Sequence, residues 1–183
     1  QTFFPKLICI RNRQSQKIVA AAGFRLASNE KLFLEQYMDF SIEKAASAVL
    51  EKMVHRESFV EVGNLAGELR GAGYLITLVL ADYLSNLGTP WIAFTLTEGM
   101  VKAFLSLGLT PIPIIDAQQS RVSESSSDWG KYYDSYPQTM IGDMQSACEK
   151  MHEMGLYKSI DYRVMSSYFD SADLANASKV VNS

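Results

Sequence analysis

The sequence predicts a single α/β domain built on a mixed sheet. Three observations carry this. Two apolar, β-branched runs open the chain back to back, three later apolar strand-like runs alternate with helical periods, and turn residues punctuate each change of period. A purely parallel sheet would not begin with a hairpin, so the expected order is β-β-α-β-α-β-α-β followed by an aromatic tail segment.

Each element has its own warrant. "LICIRNR" and "KIVAAAGFRLA" flank a polar turn around Gln14, Ser15 and Gln16, as in a hairpin. "NEKLFLEQYM" is a short segment, and "SIEKAASAVLEKMV" has the period of an amphipathic helix with Ser41 at its N-cap. "SFVEVGNLA" is a strand that Gly63 is expected to break. From Ala72 to Leu87 nearly every face is apolar, the mark of a helix packed inside an α/β core, and Gly88 and Pro90 stop it. "WIAFTLT" suits a central strand, "EGMVKAFLSLG" a helix ending at Gly108, and "LTPIPIID" a strand whose prolines belong at an edge or bend. Residues 118 to 128 read as a mobile polar loop. "WGKYYDSYPQTMIGDM" is aromatic and extended at its end, and from Gln145 a helix and a polar tail complete a domain spanning residues 1–183.

Composition excludes several classes of function. Hydrophobic residues make up 48% of the 183, enough for a core, and the net charge of −3 gives no reason to expect nucleic acid as a partner. Cys9 and Cys148 are too few and too far apart for a disulfide framework or a Cys-rich zinc site, which suits a reduced, cytoplasmic chain. His55 and His152 have no metal-binding neighbourhood, so no metal is expected. The most apolar run, Tyr74 to Ala81, is far shorter than the roughly 18 residues of a membrane span, so no stable membrane insertion is expected.

One stretch asks for a chemical explanation. "ELRGAG" crowds Arg70, Gly71 and Gly73 into the start of the oily helix. Unpaired N–H groups and the helix dipole attract anions there, and glycines let a phosphate approach the backbone. A structural turn explains the same residues. Asn64, just upstream, suits either a substrate amide or a cap on the turn.

The succession of strand, glycine turn, helix, strand and helix resembles the GNAT acyltransferase superfamily. Its cofactor motif has Arg or Gln, two free positions, Gly, one free position, then Gly or Ala. Here Glu68, Leu69, Arg70, Gly71, Ala72 and Gly73 fill that spacing, with Glu68 in place of the basic or amide residue and Arg70 as a compensating cation. A resemblance over most of the chain, carried by "AAAGFR", "LFLEQYMD", "FVEVGNLA", "WIAFTLT" and "WGKYYDSYPQTMIGDM", is to the thermostable hemolysin family. That family is similar to GNAT proteins and to acyl-homoserine-lactone synthases.

The resemblance implies a GNAT-like mixed sheet flanked by helices and splayed between the "FVEVGNLA" and "WIAFTLT" strands. An acyl-pantetheine arm, from acyl-CoA or acyl carrier protein as co-substrate, would lie in the opening. Leu65, Arg70, Gly71, Ala72, Gly73, Thr95 and Thr97 would bind it, although Thr is also simply a good strand residue. Glu61 would accept a proton from an attacking amine of a small-molecule acceptor, or else would be an ion-pair partner of Arg25 or Arg56. Phe104 stands where many GNAT enzymes have the tyrosine that protonates the leaving thiolate. Tyr132 and Tyr133 are substitutes for it, with packing as their other use.

The implied activity is N-acyl transfer, with acyl carrier protein as a further partner. A non-catalytic ligand-binding module on the same fold, a membrane-active haemolysin and a synthase using S-adenosylmethionine are the alternatives. The last lacks an evident arginine-rich donor pocket, and the second lacks a strongly basic amphipathic helix. Nothing in the sequence speaks to oligomeric state.

Overall fold

The structure is a computed structural model and describes residues 4–67, 72–86, 88–122 and 132–155. Its centre is a six-stranded mixed sheet of order β1-β2-β3-β4-β6-β5. The strands are β1 (Lys6–Arg11), β2 (Ile18–Leu26), β3 (Phe59–Gly67), β4 (Trp91–Leu96), β5 (Ile112–Asp116) and β6 (Gln138–Asp143). The helices are α1 (Ile42–Leu50), α2 (Ala72–Ser85), α3 (Glu98–Ser106) and α4 (Met144–Glu153).

The opening hairpin forms as expected, β1 running antiparallel to β2, and β2 is antiparallel to β3. Only β3 and β4 are parallel, joined through α2, which lies across β2 and β3 and packs on α4. The core on this face is made by Phe24, Val60, Ile76, Leu80, Leu84 and Met144, each at most 1% exposed. Side chains of this size contribute roughly 1.5–3 kcal/mol each when fully buried. The opposite face is covered by α1 and by a five-residue 3-10 turn at Phe33–Tyr37, which bury Leu34, Tyr37, Ile42 and Ala46 against Phe59, Trp91, Ala93 and Ile141. Alternation along the strands decides which side chain goes where.

The aromatic tail segment is extended at its end as expected: that end is β6, inserted between β4 and β5 and antiparallel to both. Two expectations are corrected. Gly63 does not break β3. The strand continues to Gly67, and the irregularity falls on Asn64, whose φ is 51°. The loop expected from residue 118 contains a short 3-10 turn at Gln119–Arg121, with Arg121 donating to both carboxylate oxygens of Asp39 at 2.7 and 3.4 Å. The rest of that loop after Val122, and the polar tail beyond Gly155, lie outside the described residues. β5 does take the edge, with a register shift between Pro113 and Ile115 where proline cannot serve a regular ladder.

Gly23 and Gly63 face each other across β2 and β3, and the Phe4 ring lies over the pair. A Cβ on Gly23 would stand 2.5 Å from the Cβ of Phe4, and one on Gly63 would stand 2.6 Å from its Cζ. Both glycines are there because the ring is. The Arg25 guanidinium, one strand repeat along, stacks over the same ring at 4.8 Å from its centroid.

Candidate active site

The sheet opens between its two parallel strands. The β3–β4 register comprises Phe59↔Trp91, Val60↔Ile92 and Glu61↔Ala93, and goes no further. Past this vertex each strand is held by its outer neighbour, β3 by β2 as far as Gly67 and β4 by β6 as far as Leu96. A bulge assists the divergence. Between Ala21↔Ala66 and Gly23↔Gly63, Asn64 and Leu65 oppose the single residue Ala22, and such a bulge bends its strand. The result is a wedge whose two inner edges carry no ladder with each other, the form that accepts an extended, amide-bearing chain as a surrogate strand.

Of the residues expected to line the opening, Asn64, Leu65, Thr95 and Thr97 lie past the last β3–β4 pair. Asn64 and Leu65 are exposed on the bulge, Thr95 is half-buried on β4, and Thr97 is the half-buried N-cap of α3 with its hydroxyl making no cap bond. α2 starts at Ala72, so Ala72 and Gly73 lie in the first turn of a 14-residue helix that follows β3 in the chain. Its N-terminal N–H groups lie at the carboxyl ends of the parallel strands, where open α/β sheets hold ligands. Glu68, Leu69, Arg70 and Gly71 lie outside the described residues.

Glu61 is at the vertex, 3% exposed, and both of its oxygens are engaged. Oε2 accepts the N–H of Phe33 at 2.7 Å and Oε1 that of Leu34 at 2.8 Å, while Arg25 Nε stands 3.4 Å from Oε2. Burial raises its pKa to about 7, against the lowering effect of those two N–H groups and of Arg25. Of the two ion-pair partners considered, the structure supplies Arg25. Arg56 belongs instead to a second hub. Its guanidinium donates to both oxygens of Glu35 at 2.6 and 3.0 Å, to Glu43 at 3.1 Å, and to the carbonyls of Ala27 and Glu30. Glu35 also accepts the N–H groups of Leu32 and Ile42, both at 2.9 Å. Burial opposes the charge of Glu35, but the Arg56 bond and these two N–H groups outweigh it and hold the pKa below the ordinary value. Ser41 is the N-cap residue of α1 as expected, but its hydroxyl donates to Glu43 and accepts no backbone N–H of the helix.

Glu61 therefore fixes one end of the Phe33–Tyr37 turn. At the other end, the buried Tyr37 hydroxyl is bonded to that of Tyr133 at 2.8 Å. Burial, followed by the bond to Tyr133, pushes the Tyr37 phenol well above its ordinary value, so it stays protonated. Tyr132 packs edge-on to Tyr133 with centroids 5.3 Å apart, and burial pushes its phenol up to about 12. Thr95 and Thr139 are cross-strand partners on this same face; Thr139 is fully buried, with no hydrogen-bond partner for its hydroxyl among the described residues.

The structure thus brings Glu61, Tyr133 and Thr95 to one side of the sheet. Phe104 is on the other side, against Phe94 with centroids 5.7 Å apart, so Tyr133 stands across the sheet from the position it was expected to replace. Sequence reading missed Tyr37, whose partner is 96 residues away, and Glu35, whose role depends on Arg56. The segment "LFLEQYMD" carried the only signal: a carboxylate, Glu35, and a phenol, Tyr37, two residues apart directly after three apolar residues. Among the described residues, no group of three or more His, Cys, Asp or Glu is placed to hold a metal, and no helix is long and apolar enough to cross a membrane.

Among the known structures similar in shape are acyl-homoserine lactone synthases. The CoA-dependent synthase BjaI in its structure with MTA has 9% sequence identity and a TM-score of 0.57, over 94% of this chain and 74% of the synthase. The same synthase with SAM and isopentyl-CoA has 9% identity and a TM-score of 0.54, over 91% of this chain and 71% of the other. At such identity the likeness establishes a shared acyltransferase-like fold. No curated protein matches the chain. The sequence matches the thermostable hemolysin family over residues 1–148, most of its length, and the chain belongs to that family.

Proposed function

We propose that the protein is an acyltransferase that moves an acyl group from a pantetheine thioester, acyl-CoA or acyl carrier protein, to the amine of a small acceptor. The observation that carries this reading is the wedge between β3 and β4, open past Glu61↔Ala93 and flanked at its mouth by the start of α2. The wedge suits an extended arm with two amides, and the helix start suits the phosphate at its far end. The presence of isopentyl-CoA in one BjaI structure supports a CoA thioester as the donor class.

Glu61 is the proton acceptor in this reading. With a pKa raised to about 7 by burial, it is matched to take a proton from an ammonium group near neutral pH. Tyr133, on the same face and bonded to Tyr37, is the proton donor to the leaving sulfur in this reading.

The test is calorimetric titration with short- and long-chain acyl-CoA and with acyl carrier protein, together with thiol release in the presence of amine acceptors. Binding and turnover with at least one donor are expected, and neither with any donor would falsify the reading. Glu61→Gln should lower kcat on the order of 100-fold, remove its rise through pH ~7 and leave donor affinity in place. A non-catalytic binding module is favoured by Phe104, whose ring has no proton to give where the resemblance implies a tyrosine. It predicts donor binding with no thiol release.

A further inference from the structure

We infer that the tip of the β1–β2 hairpin is the docking surface for an acidic acyl carrier protein, whose pantetheine arm enters the wedge from that end. The inference rests on the acyl-transfer reading and chooses between its two donors.

Charge is distributed unevenly along the chain. The first 29 residues hold Lys6, Arg11, Arg13, Lys17 and Arg25 and no Asp or Glu; all 20 acidic residues follow, together with 12 cations. A protein that is acidic overall thus carries one basic element. Arg25 is engaged inside the fold, with Glu61 and Glu30. Arg11, Arg13 and Lys17 lie in an unbroken exposed run, residues 11–18, and none has an acidic partner among the described residues. The turn that presents them is ordered. The Asn12 side chain accepts the N–H groups of Gln14 and Ser15 at 3.0 and 2.9 Å. Its backbone N–H donates to Lys17 and its carbonyl accepts from Gln16, both at 2.8 Å.

The register fixes where these cations stand. Ala20 pairs with Gly67, the last residue of β3, so the turn at 12–17 lies past the end at which the wedge is widest. From the vertex at Glu61 to Gly67 the strand covers on the order of 20 Å. An arm whose thioester sits at the vertex therefore emerges at the level of the hairpin tip. On the opposite lip, the charge of Glu98 is met by Lys102.

The two donors share the arm and differ in what lies beyond it. CoA carries a nucleotide, and small ligands are held in concave sites that enclose them. A carrier protein presents a folded acidic surface, which a protruding basic turn can meet by charge complementarity. Eight consecutive exposed residues make the hairpin tip a protrusion and not a cleft. The wedge accepts either arm, and the hairpin distinguishes their owners.

The test compares the full chain with Arg11→Glu/Arg13→Glu/Lys17→Glu and with a charge-matched control, Lys31→Glu/Lys44→Glu/Lys52→Glu, three exposed lysines outside the hairpin. Folding is checked by circular dichroism. Binding of a holo acyl carrier protein is measured by calorimetry, and turnover with acyl carrier protein, acyl-CoA and acyl-pantetheine by amide formation. The hairpin variant should bind the carrier about 30-fold more weakly and lose the same factor in kcat/KM with the carrier-bound donor, because reversal replaces three attractions by repulsions. Its kcat/KM with acyl-CoA and acyl-pantetheine should stay within about threefold of wild type, and the control should match wild type throughout. Carrier binding by the wild type should weaken about tenfold between ~50 and ~300 mM salt. An equal loss with acyl-CoA would assign the cations to the nucleotide phosphates, and an equal loss in the control would reduce the effect to net charge. Wild-type binding to phosphatidylglycerol vesicles in place of the carrier, or no carrier binding at all, would remove the carrier as the partner. Each of these overturns the inference and leaves acyl transfer standing. Carrier binding that only the hairpin variant loses, with no turnover of any donor by the wild type, overturns acyl transfer and leaves the docking surface in place.

Discussion

Glu61 is a carboxylate in a place that resists its charge, and that resistance has a measurable sign. Its folded pKa is raised by burial to about 7 from an ordinary 4.5. The stability linked to this group is therefore fully present below pH ~4.5 and is lost as pH rises through ~7. The shift corresponds to about 3 kcal/mol. Urea unfolding of the wild type should show this decline between pH 5 and 8, and Glu61→Gln should flatten it; parallel curves would mean that the carboxylate ionises normally in the fold. Thr139 offers a contrasting case. Its hydroxyl is fully buried without a partner among the described residues, a cost that an isosteric methyl removes. Thr139→Val should raise stability by about 1 kcal/mol in the same assay, and a loss of that size would reveal a partner for the hydroxyl.

At the scale of elements, β2 and β3 are joined by a ladder and by the Phe4 ring laid across their glycine pair. Glycine within a strand has no side chain to pack and costs conformational entropy, so the ring compensates for a local weakness. Phe4→Ala should destabilise the protein by about 2 kcal/mol, less than a fully buried phenylalanine because Phe4 is half-buried. Gly63→Ala should be destabilising in the wild type, since its Cβ would meet the ring at 2.6 Å. In the Phe4→Ala background the same change should become neutral or stabilising, because alanine then orders the unfolded chain without meeting an obstacle. Thermal melts of the four proteins close this cycle, and equal effects of Gly63→Ala in both backgrounds would rule out the ring as the cause.

At the scale of the whole molecule, what the sequence disclosed follows the distance over which each contact acts. The opening hairpin, α1, α2, α3 and the edge position of β5 were legible because periodicity, caps and prolines are local. The insertion of β6 was not, since "QTMIGD" has little alternation to advertise and its partners are set by topology rather than by neighbours. The wedge was legible only through family resemblance, because nothing in the composition of β3 or β4 says where their pairing ends. Arg25 was foreseen as a partner of Glu61, but the two backbone N–H groups that take up its oxygens come from a turn 27 and 28 residues earlier. Tyr133 was foreseen as a candidate on its chemistry, and its bond to Tyr37 belongs to tertiary structure alone.

The place of β6 also bears on how the protein is made. β4 and β5 both form their antiparallel ladders with β6, the last of the six described strands to be synthesised. While a ribosome is still translating the preceding segment, β5 has no strand to join and β4 has its outer edge bare. Such edges recruit other chains. The nascent protein therefore passes through an interval in which most of its sheet exists and its two most adhesive strands are uncovered. That interval ends when residues 138–143 leave the exit tunnel. Translation pauses inside it, or chains released early from it, should feed aggregation far more than pauses after Asp143.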